Sequence, residues 1–392
     1  MNYIIFDNFK RNYLLPLTFT RPVGDIRTGI LTIREKWEHY LGEKTSTLTE
    51  DYLSAKYPIV KGNDNILING SVMPNPGLVE EIGKIGINQA LVKNEIIIAI
   101  RVTADDLDNL DDTEGMEEIE TDLDFLKITN TWDVFSKNGD ALRADFDLIT
   151  RDRESAPLSK TNTLIGDNIF IEEGAKVECA TLNTEKGPIY IGKDVEIMEG
   201  SMIRGPFAIL DHSIVKMGAK IYGATTIGPY CKVGGELNNV VIFGYSNKAH
   251  DGYLGNAVIG EWCNLGADTN NSNLKNNYDI VKMWSYPDQT FVDTGLQFCG
   301  LIMGDHSKCG INTMFNTGTV VGVNSNIFGA GFQRNFIPSF AWGGTKGFVD
   351  FSIRKAIEIA KRVYSRRDIE FDETEQSILR AVKEITALNT SY

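Results

Sequence analysis

Residues 191–233 decide the fold, and they read IGKDVEIMEGSMIRGPFAILDHSIVKMGAKIYGATTIGPYCKV. An aliphatic residue returns at every sixth position of this stretch, and small residues, often glycine, lie between. A period of six fits neither the period of a helix nor the alternation of an ordinary strand. It predicts a hexapeptide β-helix, in which each hexad supplies a short strand and a turn and three hexads close a triangular coil. The aliphatic positions are Ile191, Ile197, Ile203, Ile209, Val215, Ile221, Ile227 and Val233.

The same phase appears before and after this stretch, so about six coils are expected. It is lost between Val233 and Ile259 and again between Leu265 and Met303. Because solenoid repeats accept insertions as loops, both gaps are predicted to be loops that carry function. The first gap contains YSNKAHDGYLG at 245–255, so His250 is predicted to lie on an inserted loop. The further in-phase positions are Ile165, Ile171, Val177, Ile259, Leu265, Met303, Cys309, Phe315, Val321 and Ile327.

The N-terminal third carries a different pattern. NYIIFD (2–7), NILING (65–70) and EIIIAIRV (95–102) predict buried strands, whereas 24–42 and 75–86 predict helices. This alternation predicts an α/β domain with a largely parallel sheet.

Four regions are therefore expected. They are an α/β domain at 1–145, a connector at 146–160, the β-helix at 161–345 and a C-terminal helical segment at 346–392. The acidic segment 104–122 is expected to form a solvated, partly helical surface.

The composition restricts the partners. A formal net charge of −14 removes the general attraction for nucleic acid or anionic membranes. Five scattered cysteines without a CxxC pair indicate reduced thiols. The first residues lack a signal-peptide pattern, and no apolar stretch approaches the roughly 20 residues that span a bilayer. We therefore expect a cytoplasmic protein without nucleic-acid or membrane partners.

Two segments carry a resemblance to a known family. NKAHDGYLGNAVIGEWCNLGADTNNSN (247–273) resembles the acetyltransferase segment of the bifunctional N-acetylglucosamine-1-phosphate uridyltransferase/glucosamine-1-phosphate acetyltransferase family. LPLT (15–18) and RP (21–22) resemble the opening of its nucleotidyltransferase domain. The chain looks closest to the divergent bacterial branch with a shortened nucleotidyltransferase domain. The resemblance covers nearly the whole chain and implies a nucleotidyltransferase-like first domain and a left-handed β-helix.

The resemblance also implies roles for individual residues. His250 matches the catalytic histidine, and histidine suits proton removal near neutral pH. Tyr253 and Asn273 match substrate-binding positions, and Ala267 matches a position that binds acetyl-CoA.

Two basic residues complete the expected acetyl-transfer site. Lys248 matches a substrate-binding basic residue near the histidine with a shift of one position. Arg204 matches a phosphate-binding arginine on an earlier coil, and its planar guanidinium suits phosphate. Asn238 stands where the family has a second phosphate-binding lysine.

The first domain departs from the family pattern. DNFKRN (7–12) replaces the glycine-rich loop, Val23 replaces a lysine, and Ser71 replaces the metal-binding aspartate. Without glycines the backbone cannot fold closely round a triphosphate, and without the carboxylate Mg²⁺ lacks its usual ligand. The metal ligands stay open. The candidates to meet nucleotide phosphates with side chains instead are Lys10, Arg11, Arg21 and Arg27.

The resemblance therefore implies acetyl transfer from acetyl-CoA to glucosamine 1-phosphate or a close sugar phosphate. It further implies uridylyl transfer from UTP, with Mg²⁺, to form UDP-N-acetylglucosamine, and a homotrimer. One alternative is a sugar-1-phosphate nucleotidyltransferase whose β-helix is only structural, and another is a non-catalytic trimeric scaffold. The intact His250 segment and the eroded N-terminal motif favour the first interpretation, whereas the exact sugar and base stay open.

Overall fold

The N-terminal domain is built on a six-stranded sheet. A computed structural model describes residues 1–107 and 115–387 of the chain. The strand order is β2-β1-β3-β5-β4-β6. The domain also shares one apolar core with one face of the β-helix, which is called the second face below. The strands are β1 (Asn2–Phe6), β2 (Ser46–Leu48), β3 (Asp64–Asn69), β4 (Gln89–Lys93), β5 (Ile96–Thr103) and β6 (Glu117–Glu120).

The sheet is mixed: three of its five strand pairings are parallel, including that of β4 with β6, and the two made by β5 are antiparallel. β1 pairs in parallel with β2 and β3, whereas β5 is antiparallel to both of its neighbours. The physical reason is the short connection between β4 and β5, where Asn94 and Glu95 adopt positive φ. A tight turn can join only antiparallel strands, because a parallel pair needs a long crossover.

Helices flank this sheet. The helix predicted over 24–42 begins only at Ile33, because Thr32 and Glu35 form a capping box there, and it ends at Gly42 with φ 69°. Short 3₁₀ helices cover Phe9–Leu14 and Val23–Asp25. The helices are α1 (Ile33–Leu41), α2 (Asp51–Ser54), α3 (Pro76–Ile82), α4 (Ala104–Leu107), α5 (Asp133–Ser136) and α6 (Asn138–Thr150).

Two predicted boundaries differ from the observed elements. α6 continues to Thr150, beyond the expected domain end at 145, and the first β-helix strand begins at Thr163. Within the acidic segment, 104–107 is helical and 117–120 is an edge strand, whereas 108–114 lies outside the described residues.

The predicted parallel β-helix is confirmed, and it is longer than the six coils expected. Its second and third faces each stack nine parallel strands. The first face contains Thr163–Ile165, Thr181–Asn183, Met202–Arg204, Lys220–Tyr222, the starts of Glu236–Gly244 and Tyr253–Glu261, Asn270–Asn271 and Met314–Phe315. The second face contains Ile169–Ile171, Ile189–Ile191, Phe207–Ile209, Thr225–Ile227, the ends of Glu236–Gly244 and Tyr253–Glu261, Leu301–Met303, Thr319–Val321 and Phe336–Ile337. The third face contains Lys176–Val177, Glu196–Ile197, Ile214–Val215, Lys232–Val233, Asn247–Lys248, Asn264–Leu265, Lys308–Cys309, Asn326–Ile327 and Ala341–Gly344, with Gly347–Asp350 antiparallel to the last.

The first gap in the six-residue phase is not an insertion, which corrects the prediction for His250. The strands Glu236–Gly244 and Tyr253–Glu261 each cover two faces, bending at Asn239 and Asn256, which have positive φ. A strand that bends round a corner needs fewer turn residues, so successive inward positions are fewer than six residues apart in the sequence. The six-residue phase is therefore lost, although the coil continues. His250 therefore lies in a regular corner turn.

The second gap is a true insertion. Residues 272–300 leave the β-helix between its first and second faces and carry an antiparallel hairpin of Lys282–Ser285 and Thr290–Asp293. The hairpin packs towards the first domain, where Tyr286 meets Phe19 edge to face at 5.3 Å between ring centroids.

The C-terminal helical segment is confirmed as two helices, α7 (Ile353–Ser365) and α8 (Glu373–Ala387). α7 is fixed to the β-helix by a stack of Tyr364 on Trp262, whose ring centroids lie 3.8 Å apart. α8 packs on α2 of the first domain, and Lys56, just after α2, forms an ion pair with Glu375 of α8 at 2.6 Å. Within 1–107 and 115–387, no helix is long and apolar enough to cross a membrane.

Candidate functional site

The His250 corner joins the third face to the first. The turn after Lys248 exposes the His250 imidazole, and Tyr253 begins the next strand. Ala267 occupies the same corner one level further along, since the Asp268 N–H donates to the Asp251 carbonyl at 3.0 Å. Adjacent levels lie about 4.8 Å apart, so the structure brings His250 and Ala267 together.

Glycine permits this close stacking of corners. Gly252 has φ 112°, and a Cβ there would lie 2.2 Å from the Thr269 carbonyl oxygen of the next level. Any side chain at 252 would therefore push the His250 and Ala267 corners apart.

Lys248 does not contact the substrate side, which corrects its predicted role. Its side chain takes an inward position that other coils give to an aliphatic residue, and it is 1 % exposed. The Nζ donates to the carbonyl oxygens of His250 and Asp251, the latter at 2.9 Å, and to that of Gly234 at 3.4 Å. Burial lowers the pKa of Lys248 from 10.5 to about 8. Lys248 therefore holds the turn that presents His250.

A groove of about 680 Å³ begins at His250 and follows the outer side of the third face. Asn247, Ala249 and Asn264 form its floor, and Arg366 and Arg367, which follow α7, form its far wall. Lys232 and Lys308 also line it, and within the described part of the chain no carboxylate does.

The first face carries the other matched residues. Tyr253 Oη accepts a hydrogen bond from Asn273 Nδ2 at 2.9 Å, and the same amide donates to Asn256 Oδ1 at 2.7 Å. The structure therefore brings Tyr253 and Asn273 together, at the start of the inserted segment.

Arg204 is not brought to His250 within one chain. It ends the strand Met202–Arg204, which lies three levels below Tyr253 on the first face, or about 14 Å along the axis. The first of the two intervening levels carries Lys220, a cation that the sequence interpretation missed; its Nζ lies 3.6 Å from Glu236 Oε2 on the second.

Arg21 is part of a buried contact between the domains, which corrects its assignment to nucleotide binding. Its Nη1 donates to Asp305 Oδ1 at 3.1 Å, and its Nη2 lies 3.1 Å from Glu261 Oε2. Thr20 Oγ1 adds a bond to Asp305 at 2.7 Å. Burial alone would raise the pKa of Asp305, but Arg21 outweighs burial and holds that pKa below 3.8.

Arg11 and Arg27 also face inward. Arg11 is 5 % exposed, lies 3.2 Å from Asp7 and donates to Tyr52 Oη at 3.0 Å. Arg27 bonds the Ile30 carbonyl and lies 3.6 Å from Glu35. Of the four predicted phosphate ligands, only Lys10 is exposed.

The residues around Ser71 and Asp7 in the first domain do not fit a protein-held Mg²⁺. Ser71 Oγ bonds Asn69 Oδ1 at 2.7 Å, and the buried Asp7 carboxylate already accepts from the Val23 N–H and Thr49 Oγ1. In the two described ranges, no three His, Cys, Asp or Glu side chains form a group that could hold a metal ion.

Known proteins are similar to parts of this chain. Residues 3–154 match the family model of a sugar nucleotidyl transferase. Curated relatives named bifunctional protein GlmU are also similar: that of Methanococcus maripaludis is 27 % identical over 51 % of this chain, and that of Trichodesmium erythraeum is 28 % identical over 32 %. The resemblance inferred from the sequence is confirmed. These alignments span only 42 % and 22 % of the two relatives.

Solved structures give weaker similarity. A Francisella novicida UDP-N-acetylglucosamine acyltransferase aligns over 58 % of this chain and 88 % of its own, with 11 % identity and a TM-score of 0.33. The polySia specific acetyltransferase NeuO aligns over 54 % and 99 %, with 16 % identity and a TM-score of 0.29. At these TM-scores neither structure carries an argument about this chain.

The sequence interpretation missed the basic residues of the groove. Lys232 and Lys308 stand beside in-phase core positions, where side chains of neighbouring residues must point outward. Arg366 and Arg367 end the helical pattern AKRVYSRR. Only the packing of α7 on the third face joins these two sets.

The buried ammonium of Lys248 predicts a pH-dependent contribution to stability. Because its pKa is lower in the folded state, the unfolded chain binds more protons between about pH 8 and 10.5. The free energy of unfolding of the wild type should therefore rise relative to that of Lys248→Met as pH rises through this window. Urea unfolding at pH 7.5 and 9.5 measures the difference.

The control is Lys361→Met, which removes an exposed ammonium from α7. The free energy of unfolding of this variant should differ from that of the wild type by the same amount at both pH values. A pH-independent difference for Lys248→Met would show that folding does not lower the pKa of Lys248.

Proposed function

We propose that the β-helix transfers an acetyl group from acetyl-CoA to the amine of a sugar phosphate, with His250 as general base. The observation that carries the proposal is an exposed imidazole at the head of a cation-lined groove of about 680 Å³. The GlmU relatives and the resemblance of 247–273 support this reaction class.

The groups at the corner suffice for this chemistry. The amine nitrogen attacks the thioester carbonyl, a C–N bond forms and the C–S bond breaks. The His250 imidazole takes the proton that the amine loses, and the imidazolium can return it to the departing thiolate. His250 has no side-chain hydrogen bond to other described residues, so both nitrogens are free for this transfer.

The acceptor is proposed to bind on the first face, beside His250. Tyr253 and Asn273 form a fixed polar pair there, and the Tyr253 hydroxyl can donate to the acceptor or to the developing thioester oxyanion. Glucosamine 1-phosphate is the acceptor that the resemblance favours. A close sugar phosphate with a free amine would fit the same chemistry.

A second proposed activity, nucleotidyl transfer, rests on the family match of residues 3–154. The cleft beside β1 and β2 has a volume of about 520 Å³, and Asp7, Glu50 and Asp51 line it. Carboxylates repel a triphosphate, and Lys10 is the only exposed cation among the predicted ligands. This domain is therefore proposed to bind a nucleotide or sugar nucleotide and to transfer the nucleotidyl group slowly.

A homotrimer is proposed as the active assembly. It would let Arg204 of one copy approach the His250 corner of another, which the axial separation of about 14 Å prevents within one chain. Flat β-helix faces suit closed cyclic packing.

His250→Ala should lower kcat for acetyl transfer by about 10²–10⁴-fold, because a positioned general base contributes that much. Thiol release from acetyl-CoA with glucosamine 1-phosphate measures it. His212→Ala is the matched control, because His212 is an exposed β-helix corner residue that stacks on Tyr230. Full activity of the His250 variant would refute its catalytic role.

Pyrophosphate release from UTP, N-acetylglucosamine 1-phosphate and Mg²⁺ should be slower than the roughly 1–10³ s⁻¹ typical of enzymes. The rate should not change in His250→Ala, since the two reactions use different domains. A wild-type rate within that range would show that the acidic cleft is a competent nucleotide site.

Multi-angle light scattering of the full chain should give the mass of a trimer of the 43.6 kDa protomer. Arg204→Gln should leave this mass unchanged and raise KM for the sugar phosphate. A monomer with full acetyl-transfer activity would contradict the shared site.

A further inference from the structure

We infer that the inserted hairpin at 282–293 and the last coils of the β-helix form a nucleotide-binding pocket between them. The pocket has a volume of about 740 Å³, which is within the usual range for small-molecule sites. The ligand class is a nucleoside phosphate, whose base packs on aromatic rings and whose phosphate meets cations. The pocket is separate from the His250 groove and from the cleft beside β1 and β2, because none of the described residues lines two of them.

The alternation of side chains along the hairpin gives it two different faces. Met283 is fully buried, and its Sδ accepts a hydrogen bond from Thr131 Oγ1 of the first domain at 3.4 Å. Because successive side chains of a strand point to opposite faces, Lys282 and Trp284 lie on the other face. The cross-strand partner of Trp284 is Phe291, which shares that face. One face of the hairpin therefore packs on the first domain, and the other lines the pocket.

The aromatic rings of the pocket form a fixed platform. Trp284 stacks on Phe336 of the β-helix at 4.4 Å between ring centroids, with 16° between the ring planes. Phe291 meets the Trp284 ring edge to face at 5.4 Å and is 41 % exposed. Rings that are already packed together lose little freedom when a base stacks on them, and such stacking is a sequence-tolerant source of affinity for nucleotides.

The charges of the pocket favour a phosphate. Its cations are Lys275, Lys282 and Arg334, and none of its described lining residues is acidic, although the chain has a net charge of −14. Arg334 is exposed and forms no ion pair with other described residues. Lys282 has a distant partner in Asp293, which lies 3.9 Å from its Nζ. A guanidinium and an ammonium without a close carboxylate suit the oxygens of a phosphate monoester.

An amide acceptor completes the pocket. Asn335 Nδ2 donates to the Thr317 carbonyl at 2.7 Å, which fixes the orientation of the amide. The Asn335 Oδ1 accepts no hydrogen bond from other described residues, and Asn335 is only half-buried. An amide oxygen can accept from a ring N–H or amino group of a base. Together with the aromatic platform, this acceptor favours a nucleoside phosphate over inorganic phosphate or a plain sugar phosphate.

Titration of the full chain with UMP, AMP, CMP and GMP, followed by tryptophan fluorescence, tests the site. At least one nucleotide should bind at or below millimolar concentration and change the emission of Trp284. In Trp284→Phe, which keeps a ring in the platform, calorimetry should show the same affinity, whereas the Trp284 contribution to the fluorescence change should be lost. A fluorescence change that persists unaltered in Trp284→Phe would place the nucleotide elsewhere in the chain and overturn the assignment.

Lys282→Gln/Arg334→Gln removes two cations of the pocket. The double variant should bind the nucleotide about tenfold more weakly or worse, because charge-assisted hydrogen bonds to the phosphate are lost. Lys346→Gln is the matched control, since Lys346 is an exposed cation on the turn of the last strand pair and does not line the pocket. Its affinity should equal that of the wild type. Both variants replace exposed side chains, so thermal unfolding should show that both remain folded. Equal affinities of the double variant and the wild type would refute the site.

Phe291→Ala separates the base from the phosphate. It should weaken binding of the nucleotide about tenfold because stacking is lost, and it should leave the affinity for ribose 5-phosphate unchanged. If ribose 5-phosphate binds the wild type as tightly as the nucleotide does, or if none of the four nucleotides binds at millimolar concentration, the nucleotide assignment is wrong. These measurements use no turnover, so their result does not depend on either proposed reaction.

Discussion

The stacking of one coil on the next is the constraint on which the rest of the structure depends. Each inward side chain lies over that of the preceding level, so the interior is only about one side chain wide. A polar group placed there must find its partners in the backbone of the coil itself. Lys248 does this, and its ammonium bonds the carbonyls of the turn that carries His250. The same stacking places Ala267 one level from His250, although seventeen residues separate them.

The two domains depend on each other through this solenoid. The sheet of the first domain buries part of its apolar core against the second face, and Arg21 closes the contact with Asp305. Asp305 lies on the corner that leads to Lys308, which lines the groove at His250. Arg21 is therefore part of the support for the β-helix. The RP segment at 21–22 thus takes part in the packing between the domains.

The chemistry is distributed unequally between the domains. At the N-terminal cleft, carboxylates and inward-facing arginines replace the glycine-rich loop and the metal carboxylate. At the β-helix corner, an exposed histidine, small neighbouring residues and four cations surround an open groove. This difference is the reason for proposing acetyl transfer by the β-helix and only slow nucleotidyl transfer by the first domain.

The sequence by itself determined the class of fold and singled out His250 as the candidate base. The six-residue spacing from Ile191 to Val233 predicted the β-helix because inward side chains must recur once per strand and turn. Local patterns predicted helices over 24–42 and 75–86 and a helical C-terminal segment, although the first helix begins only at Ile33. The sequence could not give the number of coils or the turn position of His250, because strands that bend round a corner at Asn239 and Asn256 change the spacing without ending the coil. The tertiary structure alone decided that Lys248 points inward and that Arg21 pairs with Asp305. It alone joined α7 to the third face, because contacts between residues more than a hundred positions apart leave no periodic signal in the sequence.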